Sequence, residues 1–399
     1  MTSPTHDVAI VGAGLVGLAT AYQLLTRRPG TTVAVLDKES EVGRHQSSHN
    51  SGVLHSGVYY APGSLKARMC REGKGAVEGF ARDHGIPVDR CGKVIVAVDA
   101  SELDRLNALY ERGQGNGVPD LKMIGPAELR DLEPHVTGVA ALHVGDTAII
   151  DFAAVCRAYA DEVVRLGGEL LLGSAVRDVA DTGRRVTLVS DRGEVSALAA
   201  VTCAGLYSDR FGGQDAGPRI VPFRGDYYTL APAARPLVRS LIYPVPDPAL
   251  PFLGVHFTRR FDGEVWAGPN AVLAFAREGY GRTTVRPSEL AETLLFGGFR
   301  RLARRHWRTG VSEMWRDVSR PAFVAQLRRY IPELRGSDLV WGPSGVRAQA
   351  VAADGSMVDD FAIVRTARAL YVRNAPSPGA TASLAIGDHL AAELEAILA

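Results

Sequence analysis

The sequence predicts an α/β protein. A Rossmann-like dinucleotide-binding lobe is assembled from separate chain segments, and an α+β lobe built on a mostly antiparallel sheet is inserted between them. Three observations lead to this prediction. The chain opens with a short apolar strand, a G-x-G-x-x-G turn and a helix, it is rich in strand-forming residues from about 220 to 275, and it closes with a strand and a helix. Its 399 residues are enough for two lobes.

The opening turn carries the strongest motif. Gly12 permits the tight turn, Gly14 lets a pyrophosphate approach the bare backbone, and Gly17 lets the helix pack closely on the strand. A second strand ends at Asp37, twenty residues beyond Gly17, where a carboxylate can bind ribose hydroxyls. The residues that this motif places beside a dinucleotide are Gly12, Gly14, Leu15, Val16, Gly17, Asp37 and Lys38.

The remaining elements follow from periodicity and from start and stop residues. Ser101 is predicted as an N-cap, and Pro126 begins a short helix. The predicted helices span 18–25, 65–84, 101–112, 126–130 and 151–166, residues from about 287 to 331, and 383–398. The predicted strands span 32–36, 94–98, 169–172, 176–179, 199–205 and 369–372, with a hairpin joining 186–189 to 194–195.

These elements predict a discontinuous domain organisation. The dinucleotide-binding domain is expected to comprise residues 1–80, 145–218 and 336–399, and the substrate-binding domain residues 81–144 and 219–335. Between the first βαβ unit and the next helix lies 51–60, in which serine, glycine, histidine and tyrosine crowd without charges. Polar, uncharged loops of this kind commonly line binding sites.

Composition excludes several classes of protein. A net charge near +1 argues against a nucleic-acid binder, and the four cysteines show neither metal-ligand spacing nor disulfide density. No signal peptide and no apolar run of membrane-spanning length are present, so a cytoplasmic location is expected. Only five of the 45 basic residues are lysines, which is typical of a GC-rich bacterial genome.

The fingerprint alone fits NAD or FAD, and the C-terminal loop favours FAD. Residues 374–383, rich in proline, glycine and alanine, run directly into the final helix. The start of that helix offers free N–H groups and a positive dipole end. Reduced flavin carries negative charge around N1 and the C2 carbonyl, and such a helix start stabilises it.

Several longer stretches carry a family resemblance. They are 48–60, 221–228, 243–248, 254–258, 268–274, 345–349 and 374–383. With these motifs the chain resembles the L-2-hydroxyglutarate oxidase/dehydrogenase family, within the D-amino-acid-oxidase-like superfamily of FAD oxidoreductases. Asp37 and Asp226 stand where glutamate is expected in that family, and both keep the carboxylate.

The resemblance implies a reaction. A secondary alcohol beside a carboxylate gives up hydride to flavin N5 and leaves a 2-oxo acid. His55 is expected to take the hydroxyl proton because imidazole titrates near neutral pH, with His256 as the alternative base. Arg347 is expected to bind the substrate carboxylate, since a guanidinium can do so through two hydrogen bonds.

The resemblance leaves the partner of a distal substrate carboxylate open. Its candidates are Tyr243, Thr258, Arg224 and Lys66, besides Arg68. Further residues expected at the flavin are Ser47, Ser48, Asn50, Ser51, Val176, Ala204, Gly205, Gly345, Pro378, Gly379, Ala380, Thr381 and Ala382. Non-covalent FAD is expected because no cysteine lies near the C-terminal loop in the sequence, and His49 remains an alternative anchor. No metal is expected.

Electrons are expected to pass to a quinone or to oxygen. Aromatic and basic residues interleave in 296–308, which is typical either of an amphipathic helix on an anionic membrane or of a solvated arginine-rich helix. The first alternative places the protein on the inner face of the cell membrane. Three other functions stay open: an amino-acid or amine oxidase of the same superfamily, a non-catalytic membrane-associated flavoprotein, and an NAD-dependent dehydrogenase.

Overall fold

The computed structural model describes residues 5–213, 217–248 and 252–399. Over these residues the chain forms an eight-stranded sheet, a nine-stranded sheet and a small three-stranded sheet. The predicted α/β class, with a Rossmann-like lobe and a second lobe, is confirmed. None of the described helices has the length and apolar character needed to cross a membrane.

The helices and strands are numbered in chain order. The α-helices are α1 Leu15–Arg27, α2 Leu65–Asp83, α3 Leu103–Gly115, α4 Pro126–Leu132, α5 Phe152–Arg165, α6 Pro287–Leu295, α7 Gly297–Arg305, α8 Trp307–Val318, α9 Arg320–Leu327 and α10 Ser383–Leu398. Short 3₁₀ helices span Ala100–Glu102, Gly205–Arg210, Pro232–Leu237 and Gly336–Asp338.

The strands are β1 Thr5–Val11, β2 Val33–Asp37, β3 Val53–Leu54, β4 Val88–Asp89, β5 Lys93–Ala97, β6 Leu121–Ile124, β7 Ala140–Val144, β8 Ala148–Ile150, β9 Glu169–Leu172 and β10 Val176–Asp181. They continue with β11 Val186–Ser190, β12 Gly193–Thr202, β13 Arg219–Leu230, β14 Leu241–Pro244, β15 His256–Arg259, β16 Val265–Gly268, β17 Val272–Leu273, β18 Leu339–Val351, β19 Ala362–Arg365 and β20 Ala369–Asn374.

The eight-stranded sheet is the Rossmann-like part of the molecule. Its centre is parallel, in the order β20–β12–β1–β2–β9, and β10, β11 and β19 add antiparallel pairs. Side chains alternate along β1: Val8 and Ile10 face α1, α5 and α10, whereas Ala9 and Val11 join a second buried cluster on the other face. Both faces of the sheet are therefore covered, as a parallel sheet requires.

The nine-stranded sheet carries the second lobe. Its order is β17–β13–β16–β15–β14–β5–β7–β6 with β18 beside β13, and all pairs except β5–β14 are antiparallel. Leu241 pairs with Lys93 on one side and with Thr258 on the other. Because side chains alternate along strands, Lys93, Tyr243, His256 and Thr258 share one face of this sheet.

The structure corrects three predicted details. Asp99, and not Ser101, caps the helical segment before α3, since its carboxylate accepts the Ser101 N–H at 2.9 Å. The segments 194–195 and 199–205 belong mostly to a single strand, β12. The strand β18, placed by prediction in the dinucleotide-binding domain, runs antiparallel to β13 in the second sheet. Other domain boundaries stay predictions.

Candidate active site

A cavity of about 1480 Å³ lies between the two large sheets. One end is lined by the glycine turn after β1 and by the carboxyl end of β2, the position where open α/β sheets bind ligands. The other end is lined by residues of the nine-stranded sheet, including Tyr243, His256 and Arg347. A single space therefore joins the dinucleotide motif to the candidate catalytic residues.

The glycine turn has the geometry that the motif predicts. Gly12 has a φ of +107°, and a Cβ there would lie 2.4 Å from the carbonyl oxygen of Cys203. A Cβ on Gly17 would lie 2.0 Å from the carbonyl oxygen of Gly12. No side chain caps the helix at Gly14, although the Leu15 N–H donates to Ser47 Oγ at 3.0 Å. The start of α1 thus faces the cavity as bare backbone, which suits a pyrophosphate.

Asp37 has a structural role as well as its predicted binding role. Its carboxylate accepts the Ala13 N–H at 2.7 Å and the Glu39 N–H at 2.9 Å, and these bonds hold the glycine turn against β2. A carboxylate has about four acceptor sites, so capacity for ribose hydroxyls remains. Lys38 also lines the cavity, but its ammonium pairs with Glu39 and, at 2.6 Å, with Glu278.

The C-terminal loop closes over the cavity beside His55. The Thr381 hydroxyl accepts the backbone N–H of His55 at 3.1 Å and donates to the carbonyl oxygen of Val53 at 3.3 Å. Helix α2 packs tightly behind this loop, because a Cβ on Gly73 would lie 2.6 Å from Cα of Ala382. The loop, α2 and the segment 53–55 therefore hold one another in position.

His55 is held by its backbone, while its ring has no partner. The buried Nδ1 atom has no hydrogen bond with any described residue, and the ring lines the cavity. Burial, reinforced by the positive charges of Lys93 and Lys66 and by His256, lowers the pKa of His55 to about 3. A neutral imidazole with a free nitrogen can accept a proton.

His256 is the second imidazole at the cavity. Its Nδ1–H donates to the carbonyl oxygen of Gly254 at 2.9 Å, so Nε2 carries the lone pair. Its ring lies 4.0 Å from the Tyr243 ring, centroid to centroid. Burial, with Arg347 and Lys93 nearby, lowers the pKa of His256 to about 4. The structure thus brings both predicted bases into the same cavity, in their neutral forms.

Arg347 is presented by β18 at the cavity wall. Its guanidinium forms no hydrogen bond or ion pair with any described residue, and its Cζ lies 5.2 Å from the centroid of the Phe252 ring. Burial lowers the pKa of Arg347, although it stays a cation because guanidinium is protonated in proteins. A half-buried guanidinium without a partner in the described chain is suited to an incoming carboxylate.

Most of the predicted site residues line this cavity. They are His55, Lys66, Tyr243, His256, Arg347, Gly12, Gly14, Leu15, Val16, Asp37, Lys38, Ser47, Asn50, Ser51, Val176, Ala204, Gly205, Gly345, Pro378, Gly379, Ala380 and Thr381. The predicted residues outside its lining are Gly17, Ser48, Ala382, Thr258 and Arg224. Gly17 and Ala382 act one layer back, through the close packing described above.

Arg224 is not a substrate group in this structure. Its guanidinium pairs with Asp226 at 3.0 Å and with Asp317 at 3.4 Å, which fixes β13 to α8. Lys66 lies on the cavity, but its ammonium already bonds the carboxylate of Asp359 at 2.9 Å. Both of these predicted cations are thus occupied by acids of the chain itself.

Sequence reasoning missed Lys93, which lies outside the cavity lining, directly behind Tyr59 and Tyr243. Its side chain is 1% exposed, and its Nζ lies 4.7 Å from the Tyr59 ring centroid and 5.2 Å from that of Tyr243. The only available hint was a charge at the start of the otherwise apolar strand β5. Nothing in the local pattern connects that strand with His55 or His256.

The expectation of non-covalent FAD stays a prediction. Cys70, distant from the C-terminal loop in sequence, comes near it in the fold, because its thiol donates to the carbonyl oxygen of His55 at 3.3 Å. That thiol is buried outside the cavity lining, and burial raises its pKa to about 12. His49 stacks on Tyr280 with 4.2 Å between ring centroids.

Comparisons with known proteins show the family of the chain. The family described as FAD dependent oxidoreductase matches residues 7–393. L-2-hydroxyglutarate dehydrogenase of Indibacter alkaliphilus is 46% identical, covering 96% of each chain. The mitochondrial L-2-hydroxyglutarate dehydrogenase of Nematostella vectensis is 48% identical, covering 96% of this chain and 89% of the relative.

The chain belongs to the L-2-hydroxyglutarate oxidase/dehydrogenase family of FAD-dependent oxidoreductases. Solved structures share its fold. L-α-glycerophosphate oxidase of Mycoplasma pneumoniae, determined with FAD bound, has a TM-score of 0.78 at 22% identity, covering 98% of this chain and 94% of that one. Glycine oxidase of Geobacillus kaustophilus has a TM-score of 0.71 at 18% identity, covering 98% and 95%.

FAD is the cofactor of this family, and the residues present fit it. Gly12 and Gly14 present backbone to the cavity with Ser47 Oγ at its edge, and Asp37 ends β2, the position from which a carboxylate can bind a ribose. The start of α10, without a side-chain cap, follows the loop that borders His55. The NAD-dependent alternative and the non-catalytic alternative are therefore set aside.

Proposed function

We propose that this protein oxidises L-2-hydroxyglutarate to 2-oxoglutarate. One observation carries the proposal: a single cavity joins the dinucleotide turn to two neutral imidazoles and an unpaired guanidinium. The relatives named L-2-hydroxyglutarate dehydrogenases support the choice of substrate.

The reaction removes a hydride from C2 of the substrate and a proton from its hydroxyl group. Bound FAD supplies the hydride acceptor, flavin N5. His55 takes the hydroxyl proton, because its ring is neutral, lies in the cavity and has no partner of its own. The hydrogen bond from the His55 backbone N–H to the Thr381 hydroxyl fixes the position of His55 relative to the C-terminal loop. His256 is the alternative base.

Arg347 binds the carboxylate next to the reacting carbon. A guanidinium can hold both carboxylate oxygens in one plane, which fixes the substrate about the C1–C2 bond. Gly345 lies two residues before Arg347 on β18, and a Cβ on Gly345 would lie 2.6 Å from the carbonyl oxygen of His49. This close approach seats β18 against the segment that leads to His55.

Anaerobic bleaching of the flavin absorbance tests the proposal. The purified holoenzyme is mixed with L-2-hydroxyglutarate, its D-enantiomer, L-lactate or L-glutamate. Rapid bleaching by the L-hydroxy diacid is expected, with the other three at least about 100-fold slower, since a mispaired buried polar group strongly disfavours an analogue. Bleaching by L-glutamate instead would identify an amino-acid oxidase and contradict the proposal.

We also propose that the reduced enzyme passes electrons to a membrane quinone, with α8 against the bilayer. The apolar face of α8 points outward: Trp307, Val311, Met314, Trp315 and Val318 are each at least half exposed. The polar side of α8 faces the protein, with Asp317 bonded to Asn270 at 2.6 Å. Exposed arginines beside it are Arg300, Arg301, Arg304, Arg305 and Arg308. Apolar residues bordered by cations suit an anionic membrane surface.

This surface differs from the one predicted over 296–308. Phe296 and Phe299 pack against a small buried cluster that contains Leu302. The exposed aromatic residues of this region are therefore Trp307 and Trp315 of α8. Flotation with vesicles containing anionic lipid tests the contact. We expect the wild type to float and the Trp307→Ser/Trp315→Ser variant to stay in solution. A wild type that never floats would favour oxygen as the acceptor and contradict this proposal.

A further inference from the structure

Lys93 is a buried amine without a counter-ion. Its Nζ has no hydrogen bond or ion pair with any described residue, and the side chain is 1% exposed. An ammonium ion buried in this way costs several kcal/mol unless a partner compensates it. By contrast, the buried Lys74 pairs with Glu78 at 2.7 Å and with Asp146 at 3.0 Å. The fold thus gives Lys74 two acidic partners, whereas no acidic side chain of the described residues pairs with Lys93.

Other buried polar atoms around Lys93 are also unpaired. The hydroxyl group of Tyr59 and the Nδ1 atom of His55 have no hydrogen-bond partner among the described residues. Tyr59 and Tyr243, whose rings flank the Lys93 ammonium, both line the cavity. Lys93 itself lies directly behind this wall, and unsatisfied polar groups gathered there point to a ligand that satisfies them.

We propose that Lys93 binds the distal carboxylate of a dicarboxylate substrate, while Arg347 binds the carboxylate beside the reacting carbon. This inference rests on the function proposed above. The inference adds a specificity determinant to that function, because a cation at the distal end favours a hydroxy diacid over a hydroxy acid that is shorter or lacks the second carboxylate. The two occupied cations, Arg224 and Lys66, leave Lys93 as the unpaired lysine on this face of the sheet.

The groups that surround Lys93 make its protonation a measurable signature. Burial lowers the pKa of Lys93 to about 7, whereas burial raises the pKa of Cys70 and Tyr243 and lowers the pKa of His55 and His256. Tyr59, on the other side, also has a raised pKa, and Lys66 has its own carboxylate, Asp359. At pH 8 Lys93 is thus the group of this set that can gain a proton when a carboxylate arrives.

The test compares the wild type with Lys93→Met, using Lys122→Met as the matched control. Lys122 lies on β6 of the same sheet, and its ammonium pairs with Glu128 at 2.5 Å. It is not one of the residues that line the cavity. Turnover of L-2-hydroxyglutarate is compared with that of L-2-hydroxyvalerate, which has five carbons and no distal carboxylate. We expect Lys93→Met to lower the diacid-to-monoacid ratio of kcat/KM by about 100-fold, with flavin content retained.

Binding of glutarate tests the same contact without turnover. Calorimetry at pH 8 in buffers of different ionisation enthalpy should show proton uptake by the wild type and by Lys122→Met, and none by Lys93→Met. Valerate should bind weakly to all three without uptake. A Lys93→Met enzyme that keeps the diacid preference, or a wild type that binds glutarate no better than valerate, would overturn the proposal. Glutarate binding with proton uptake but no oxidation of L-2-hydroxyglutarate would instead contradict only the proposed function.

Discussion

At the scale of single residues, the site depends on keeping two imidazoles neutral. His55 and His256 lie among basic side chains and pair with no carboxylate of the described residues, so burial and charge repulsion both disfavour protonation. A base that is already neutral at pH 7 needs no prior loss of a proton. The same positive field attracts a substrate with two carboxylates.

We expect His55→Asn to lower kcat by about 10²- to 10⁴-fold with normal FAD content, because a general base contributes that much. In the wild type the unprotonated base is needed, so kcat/KM should fall only as the pH drops well below 6.5. His256→Asn should keep this acid limb. Steady-state kinetics from pH 3 to 8 check both points, since the limb is expected near the His55 pKa of about 3. An acid limb that disappears only in His256→Asn would reverse the two roles.

At the scale of elements, the cofactor site depends on close backbone packing. Gly73 and Gly75 lie in the same helix, α2, and differ in what surrounds them. A Cβ on Gly73 would lie 2.6 Å from Ala382 Cα and 2.8 Å from the Thr381 carbonyl oxygen, whereas a Cβ on Gly75 would meet nothing within 4 Å. Gly73, and not Gly75, is therefore the glycine at which the backbone of α2 approaches the C-terminal loop.

This contrast gives a matched pair of variants. Gly73→Ala should displace the C-terminal loop and weaken FAD binding at least tenfold, since backbone atoms must move to admit the methyl group. Gly75→Ala should retain FAD and gain up to about 1 kcal/mol of stability from helix propensity. Fluorescence titration of the apoprotein with FAD measures the first effect, and urea unfolding measures the second. Equal FAD affinity in both variants would contradict this account of α2.

At the scale of the whole molecule, the cavity between the two sheets makes the fold sensitive to acid. The unfolded chain binds protons on His55 and His256 near pH 6.5, whereas the native chain holds off protonation to about pH 3 and pH 4. Between these values the unfolded state binds more protons. The free energy of unfolding must therefore fall as the pH is lowered from 6.5.

Each of the two histidines should contribute up to about 1.4 kcal/mol of lost stability per pH unit below 6.5. Urea unfolding of the holoenzyme at pH 7, 6 and 5 measures the loss. The His55→Asn/His256→Asn variant should show a smaller decline. His135→Asn is the control, because that side chain is 37% exposed and pairs with Glu333 at the surface. A double variant with an unchanged decline would show that these histidines are not responsible.

The sequence by itself determined those parts of the protein that depend on local backbone geometry. Gly12, Gly14 and Gly17 require a tight turn between a strand and a helix, and that requirement can be recognised without knowing the rest of the fold. Helix α10 could likewise be predicted from its local sequence, and its predicted bounds are confirmed. The segment around His55, which lines the cavity, was identified by its family motif. Chain neighbours within about twenty residues decide such features.

Only the tertiary structure decided which charges are free. Arg224 and Lys66 were predicted to be substrate-binding residues, yet Asp226, Asp317 and Asp359 neutralise them from other elements. Lys93 showed no motif, and only the pairing of β5 with β14 brings it beside Tyr243. Strand pairing, burial and charge compensation join residues far apart in the chain, and the electrostatic energy of a side chain depends on those neighbours.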